Sequence, residues 1–281
     1  MPVLPRVSAV SFLNTSPLVW GLLHGPQKGR MDLRFVVPSE CADDLREGRA
    51  DIGLVPIIEL ARQPDLSVIP GSAIVCQGPV RSILLVSKCP LAGIRSLAAD
   101  TSSRTSVVLT QLVLRSKGVE APVVTPHQPD LDAMLRIADA ALIIGDPALR
   151  LDPEMSLWQG QPVFVYDVGQ QWVEMTGLPM VFAVWAAKEH VDPTAAAVFE
   201  ESKRYGLTRT EEIVSLESTA RAFDPDLVRE YITAHISYDL GPRERLAVDR
   251  YLQLAEEAGY APKGAVARYL ESSAIAGQEQ N

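Results

Sequence analysis

The sequence of 281 residues carries none of the local signatures that mark the common cofactor and nucleophile sites. No Gly-x-Gly-x-x-Gly follows a strand, no Walker loop is present, and no His-Glu-x-x-His or Cys/His cluster offers a zinc site. A Gly-x-Ser-x-Gly nucleophile elbow is also missing. Cysteine is scarce, and Cys41, Cys76 and Cys89 are scattered, which suits small apolar residues in a reducing compartment. Basic charge is short: 26 Lys and Arg stand against 35 Asp and Glu, for a net charge of −9. That argues against a nucleic-acid partner, which requires clustered cations to neutralise phosphate. It leaves room for a small anionic ligand, because a few local donors outweigh a distant net charge. No segment approaches the ~20 apolar residues of a membrane span. The opening residues Met1 to Phe12 lack the basic and then apolar build of a secretory signal. The expectation is a cytoplasmic protein with no membrane or nucleic-acid partner. The four histidines, His24, His127, His190 and His235, lie far apart and near helix ends or loops, where surface roles suit them. His127 alone follows a strand.

What is present is an α/β pattern. Arg6 to Val10 reads as a buried strand, and Pro17 opens a helix capped by Ser16 and ended by Gly25. Leu33, Phe35 and Val37 alternate with polar neighbours as a second strand. A helix follows from Glu40 to Glu47, then a strand over Asp51–Val55, and Pro56 starts another helix. This βαβαβα order predicts a mostly parallel sheet covered by helices. Two apolar strands follow, Ala73–Cys76 and Ser82–Ser87, with turn chemistry between them. A second βα series then runs over Ser96–Ala99, Thr105–Lys117, Val123–Thr125, Leu131–Arg136, Ala140–Ile144 and Val163–Tyr166. After the apolar strand Met180–Ala187 the chain reads as helical to its end, over about 193–205, 210–221, 226–236 and 243–258. The strands at 82–87 and 180–187 bracket the second series. They predict a two-lobed protein with a discontinuous first lobe, 1–87 and 180–281, and a second lobe over 88–179. Packing, a homodimer interface and docking of another enzyme are all open roles for the C-terminal helices.

Ligands of open α/β sheets bind beyond the carboxyl ends of the strands, and there the sequence places short polar loops. In Ser11-Phe12-Leu13-Asn14-Thr15, the Asn14 amide carries both a donor and an acceptor, so it suits either a ligand or a turn. Asp100 to Ser106 precedes a helix whose N-terminus favours an anion. Ser103, Thr105 and Ser106 add hydroxyls there and Arg104 a charge, more than one N-cap needs. Arg81 and Ser82 enter the first crossing strand, where Arg81 suits either a bidentate carboxylate pair or solvent. Gly145 permits close backbone approach, and Asp146 reads equally as a general base or as an N-cap ahead of Pro147. Gly53 inside a strand signals a close neighbour, with Glu59 just beyond.

These blocks carry a resemblance. Val10-Ser11-Phe12-Leu13-Asn14-Thr15-Ser16-Pro17-Leu18 resembles the opening motif of the chorismate dehydratases of the futalosine route to menaquinone. The blocks at 51–60, 102–106, 144–149 and 172–179 are similar to later motifs of that family, in the same order over almost the whole chain. Phe12 stands where Tyr is the more usual family residue. The resemblance implies a periplasmic-binding-protein-like type II fold and loss of water from chorismate to give 3-[(1-carboxyvinyl)oxy]benzoate, with no metal or organic cofactor. With that reaction in view, the residue inventory assigns Asn14 to the reacting region and Ser11, Arg81, Ser82, Ser103, Arg104, Thr105, Ser106 and Gly145 to the substrate, and leaves the base open between Asp146 and a substrate carboxylate. Two alternatives stand beside it. One is the sibling 1,4-dihydroxy-6-naphthoate synthase, associated with a different opening and a catalytic histidine. The other is a non-catalytic binding protein for a small carboxylate.

Overall fold

The computed structural model describes residues 4–270, so positions 1–3 and 271–281 of the expected first lobe lie outside the described residues. Strands β1 (Arg6–Val10), β2 (Asp32–Val36) and β3 (Ile52–Pro56) are joined through helices α1 (Ser16–His24) and α2 (Pro38–Arg46). All three run parallel with β1 between its partners, as helical crossovers require. The short α3 (Glu59–Arg62) leads into β4 (Leu66–Cys76). The chain then builds a second sheet from β5 (Ile83–Ser87), β6 (Ser96–Asp100), α4 (Arg104–Ser116), β7 (Val123–His127), α5 (Leu131–Ile137) and β8 (Ala140–Ile144). Helix α6 (Gly145–Leu149), a small hairpin of β9 (Leu157–Trp158) and β10 (Gln161–Pro162), β11 (Phe164–Asp167) and α7 (Val168–Thr176) complete it. Strand β12 (Met180–Lys188) returns to the first sheet, followed by α8 (Ala195–Leu207), α9 (Thr210–Arg221) and α10 (Pro225–Glu230). A π-helical turn (Tyr231–His235), β13 (Ser237–Leu240) and α11 (Pro242–Glu257) come last.

The first sheet has the order β13-β4-β12-β3-β1-β2 and the second β11-β5-β8-β6-β7. Each is mixed. In the first, β12 is antiparallel to both β3 and β4; in the second, β5 is antiparallel to β8. The two chain crossings between sheets are the segments 77–82 and 177–179. The strand Ile83–Ser87 therefore pairs in the second sheet, and the first crossing falls ahead of residue 87. Burial explains the strand choice. Ala140–Ile144 and Ile83–Ser87 are buried throughout, as strands covered on both faces must be.

Several local expectations change. Ser16 lies inside α1, and its hydroxyl donates to Glu217 at 2.8 Å instead of capping. Pro56 ends β3, and the next helix starts only at Glu59. At the end of the edge strand β2 the expected alternation fails, with Phe35 exposed and Val36 buried. The C-terminal region is not wholly helical, because β13 adds a strand to the edge of the first sheet beside β4.

Candidate active site

A cavity lies between the two sheets. Its walls are Val10, Phe12, Pro38, Pro56, Ile74, Val80, Ile83, Ile144, Phe182 and Ala183, with Gly145 at one side. The polar side chains that line it are Asn14, Ser82, Ser103 and Ser106. Its empty space, open mouth included, is about 460 Å³. Mostly apolar walls with a few converging polar groups are the usual build of a small-molecule site.

Each group reaches the cavity for a local reason. Asn14 sits in the 3₁₀ turn Leu13–Thr15 that follows β1. Ser103 is the N-cap of α4: its hydroxyl accepts from the Ser106 N–H at 3.4 Å and from the Ser106 hydroxyl at 3.1 Å. The positive end of a thirteen-residue helix thus faces the cavity beside two hydroxyls. Ser82 ends the first crossing segment, and its carbonyl accepts the Gly145 N–H at 2.7 Å. Gly145 has φ +65°, and a Cβ there would lie 2.7 Å from the Phe12 ring. Glycine is required by backbone conformation and by the close approach of Phe12. Its N–H belongs to Ser82, so it is not free to grip a ligand.

Four other expected site residues serve elsewhere. The Arg81 guanidinium donates to the carbonyls of Ala148, Leu149 and Leu151 at 3.2, 3.3 and 2.7 Å, where it caps the end of α6. Burial pushes its pKa down, and its N–H donates to Asp167 at 2.6 Å. Arg104 pairs with Asp43 at 2.8 Å and Glu59 at 3.4 Å, across from α4 to the first lobe. The Thr105 hydroxyl accepts from the Ile58 N–H at 3.4 Å. Ser11 enters through its main chain, its carbonyl accepting from Arg221 at 2.9 Å.

Asp146 is neither an N-cap nor a wall of the cavity. Helix α6 already starts at Gly145. One Asp146 oxygen accepts the Leu13 N–H at 3.0 Å and the other pairs with the Arg221 guanidinium. Arg221 also reaches Glu217 at 2.6 Å. Burial works against the Arg221 charge, but Asp146 and Glu217 together outweigh it and hold its pKa above the ordinary value. Asp146 therefore joins the second lobe to the first beside the cavity. Arg104 does the same through Asp43 and Glu59, helped by the main-chain bond from Ser39 to Ser102 at 2.8 Å. Glu59 is fully buried and also meets Arg46 at 2.8 Å and Arg62 at 3.2 Å. Gly53 has a packing reason: Leu45 of α2 would stand 3.1 Å from a Cβ there. His127 stays outside the cavity, its ring against the Gln128 carbonyl at 2.7 Å.

Tyr231 was not legible as a site residue in the sequence. It lies in an apolar helical stretch, and only the fold brings its hydroxyl to Ser82, at 2.8 Å. Burial pushes this phenol well above its ordinary pKa.

Among the described residues no helix is long and apolar enough to cross a membrane. Among solved structures, a protein from Archaeoglobus fulgidus superposes with a TM-score of 0.70 at 15% identity, covering 91% of this chain and 97% of that one. The periplasmic aliphatic sulphonate binding protein SsuA from Escherichia coli gives 0.61 at 17% identity, covering 97% and 95%. The fold is periplasmic-binding-protein-like, as the resemblance implies. The chorismate dehydratase of Thermus thermophilus is 29% identical over 230 residues, 77% of this chain and 84% of that protein. That of Campylobacter jejuni is 25% identical over 252 residues, 87% and 94%. The family described as menaquinone biosynthesis matches residues 5–257, and this chain belongs to it.

Proposed function

We propose that this protein is a chorismate dehydratase, a hydro-lyase that converts chorismate to 3-[(1-carboxyvinyl)oxy]benzoate. One observation carries the reading beyond the family: an amide and three hydroxyls, from Asn14, Ser82, Ser103 and Ser106, are the polar side chains of an otherwise apolar cavity. Chorismate is a dianion with an apolar ring, and it matches that distribution. The N-terminus of α4 with Ser103 and Ser106 suits one carboxylate, and Ser82 suits the other.

Elimination breaks the C3–H bond, whose electron pair becomes the new ring double bond, and expels the C4 hydroxyl, which leaves as water with the proton. The resulting aromatic ring supplies the driving force. Among the described residues, those lining the cavity include no carboxylate, imidazole, amine or thiol. With Asp146 engaged by Leu13 and Arg221, a carboxylate of the substrate is the base the site favours. The protein's part is to hold the ring in an eliminating conformation, orient the leaving hydroxyl through Asn14 and exclude water. We also place the reaction in the cytoplasm, without metal or cofactor.

The test is incubation of the purified protein with chorismate, following products by chromatography and mass. Loss of one water supports the reading, and binding without turnover would replace it with a carrier. An Asn14→Asp variant with wild-type turnover would remove Asn14 from the chemistry.

A further inference from the structure

We propose that Tyr231 is a positioning residue that sets the polarity of the cavity group Ser82. The inference rests on the dehydratase reading and deepens it. Tyr231 is the first residue of the π-helical turn Tyr231–His235, closed by the Ile236 N–H on the Tyr231 carbonyl at 3.2 Å. Single π turns are found frequently at functional sites. Here the turn carries a phenol that is only 1% exposed. Packing alone would be met by phenylalanine, because a buried hydroxyl is unfavourable without partners.

The hydroxyl has a partner that lines the cavity: its hydrogen goes to Ser82 Oγ at 2.8 Å. A phenol has one hydrogen, and Ser82, having accepted it, keeps its own for the cavity. One phenol from the C-terminal segment thereby fixes a hydroxyl rotor just ahead of β5, before substrate arrives. Such preorganisation acts on kcat here because Ser82 suits a substrate carboxylate, the base the site favours. It also gives the segment after α10 a task in the site, besides packing.

The experiment is steady-state turnover of chorismate by wild type, Tyr231→Phe, Ser82→Ala and the Tyr231→Phe, Ser82→Ala double. Binding of 3-[(1-carboxyvinyl)oxy]benzoate by wild type and Tyr231→Phe is measured alongside by calorimetry. The expectation for Tyr231→Phe is a kcat lower by about tenfold or more, the scale of one lost buried hydrogen bond, with product affinity within about threefold of wild type. In the double, the loss should fall well short of the product of the single losses, because the phenol acts through Ser82. Wild-type kcat in Tyr231→Phe would overturn the inference. So would fully multiplicative losses, or loss of product binding together with turnover, which mark a purely structural role. If the wild type itself leaves chorismate unchanged, the dehydratase reading fails, and this inference with it.

Discussion

Replacing Asp146 by Asn separates two roles that the sequence leaves open for this residue. The amide keeps the shape of the carboxylate and an acceptor for the Leu13 N–H, held at 3.0 Å in the native protein. It removes the negative partner of Arg221, which still has Glu217 at 2.6 Å. A charge-assisted hydrogen bond contributes about 1.5–3 kcal/mol. The Arg221 and Asp146 side chains keep 23% and 17% exposure, so solvent screens part of that. About 1–2 kcal/mol remains as a working figure. Because the bond joins the second lobe to α9 and the first loop, its loss falls on the closed arrangement that encloses substrate. KM for chorismate should rise about five- to thirtyfold, since 1.4 kcal/mol is a factor of ten, while kcat changes little. Removing a general base would instead lower kcat by about 10²–10⁴ with KM nearly constant. Steady-state kinetics distinguish the two patterns. A thousandfold fall in kcat at unchanged KM would refute the latch and restore Asp146 as the base.

Three further outcomes follow from the same structure. Gly145→Ala places a Cβ 2.7 Å from the Phe12 ring at φ +65°, and should destabilise by about 2–4 kcal/mol in denaturant titration. Arg104→Ala removes one of three arginines around buried Glu59 and frees Asp43 from the second lobe, so stability should drop by about 1–2 kcal/mol in the same assay. Asp51, hydrogen-bonded to Arg6, has its pKa lowered from 3.8 to about 2. A depressed folded-state pKa stabilises above the unfolded value and is lost as pH falls through the folded one. Arg6 is 46% exposed, so solvent screens much of the contribution. The stability gap between wild type and Asp51→Asn, measured by denaturation from pH 6 downward, should be full above pH 5 and close between pH 4 and 2. A gap independent of pH would rule out this ion pair.

Most strands and helices were legible because burial imposes its period on the chain. Ala140–Ile144 is apolar at every position and is buried at every position. Strand β4 was only half legible, since Pro70 and Gly71 read as an end to a strand. The strand passes through them by a register shift: Val68 pairs with Ala186 and Ala73 with Val184, and the residues between bulge out. β13 is not legible in the sequence, because four residues, Ser237 to Leu240, carry too little pattern to set against the helices around them. The sequence pattern places the crossing at 77–82 too late, because Ile83–Ser87 has the same apolar character whichever sheet it joins.

The candidate site divides along the same line. Asn14, Ser82, Ser103 and Ser106 stood out in the sequence as polar residues in loops at strand ends, and the cavity gathers all four. Arg81, Arg104 and Asp146 stood out equally, and each is engaged elsewhere. Sequence alone determined the α/β class, the return of the chain to its first lobe and the loops from which a site had to be built, because these follow from periodicity, turn chemistry and strand ends. Only the tertiary structure decided which charges were already paired, since Arg81 meets carbonyls 67 to 70 residues away and Arg221 meets Asp146 across 75. It alone also brought the phenol of Tyr231 to Ser82, 149 positions distant. Partners so far apart in sequence leave no local period or motif; only the packing of the two lobes places them within reach of a hydrogen bond.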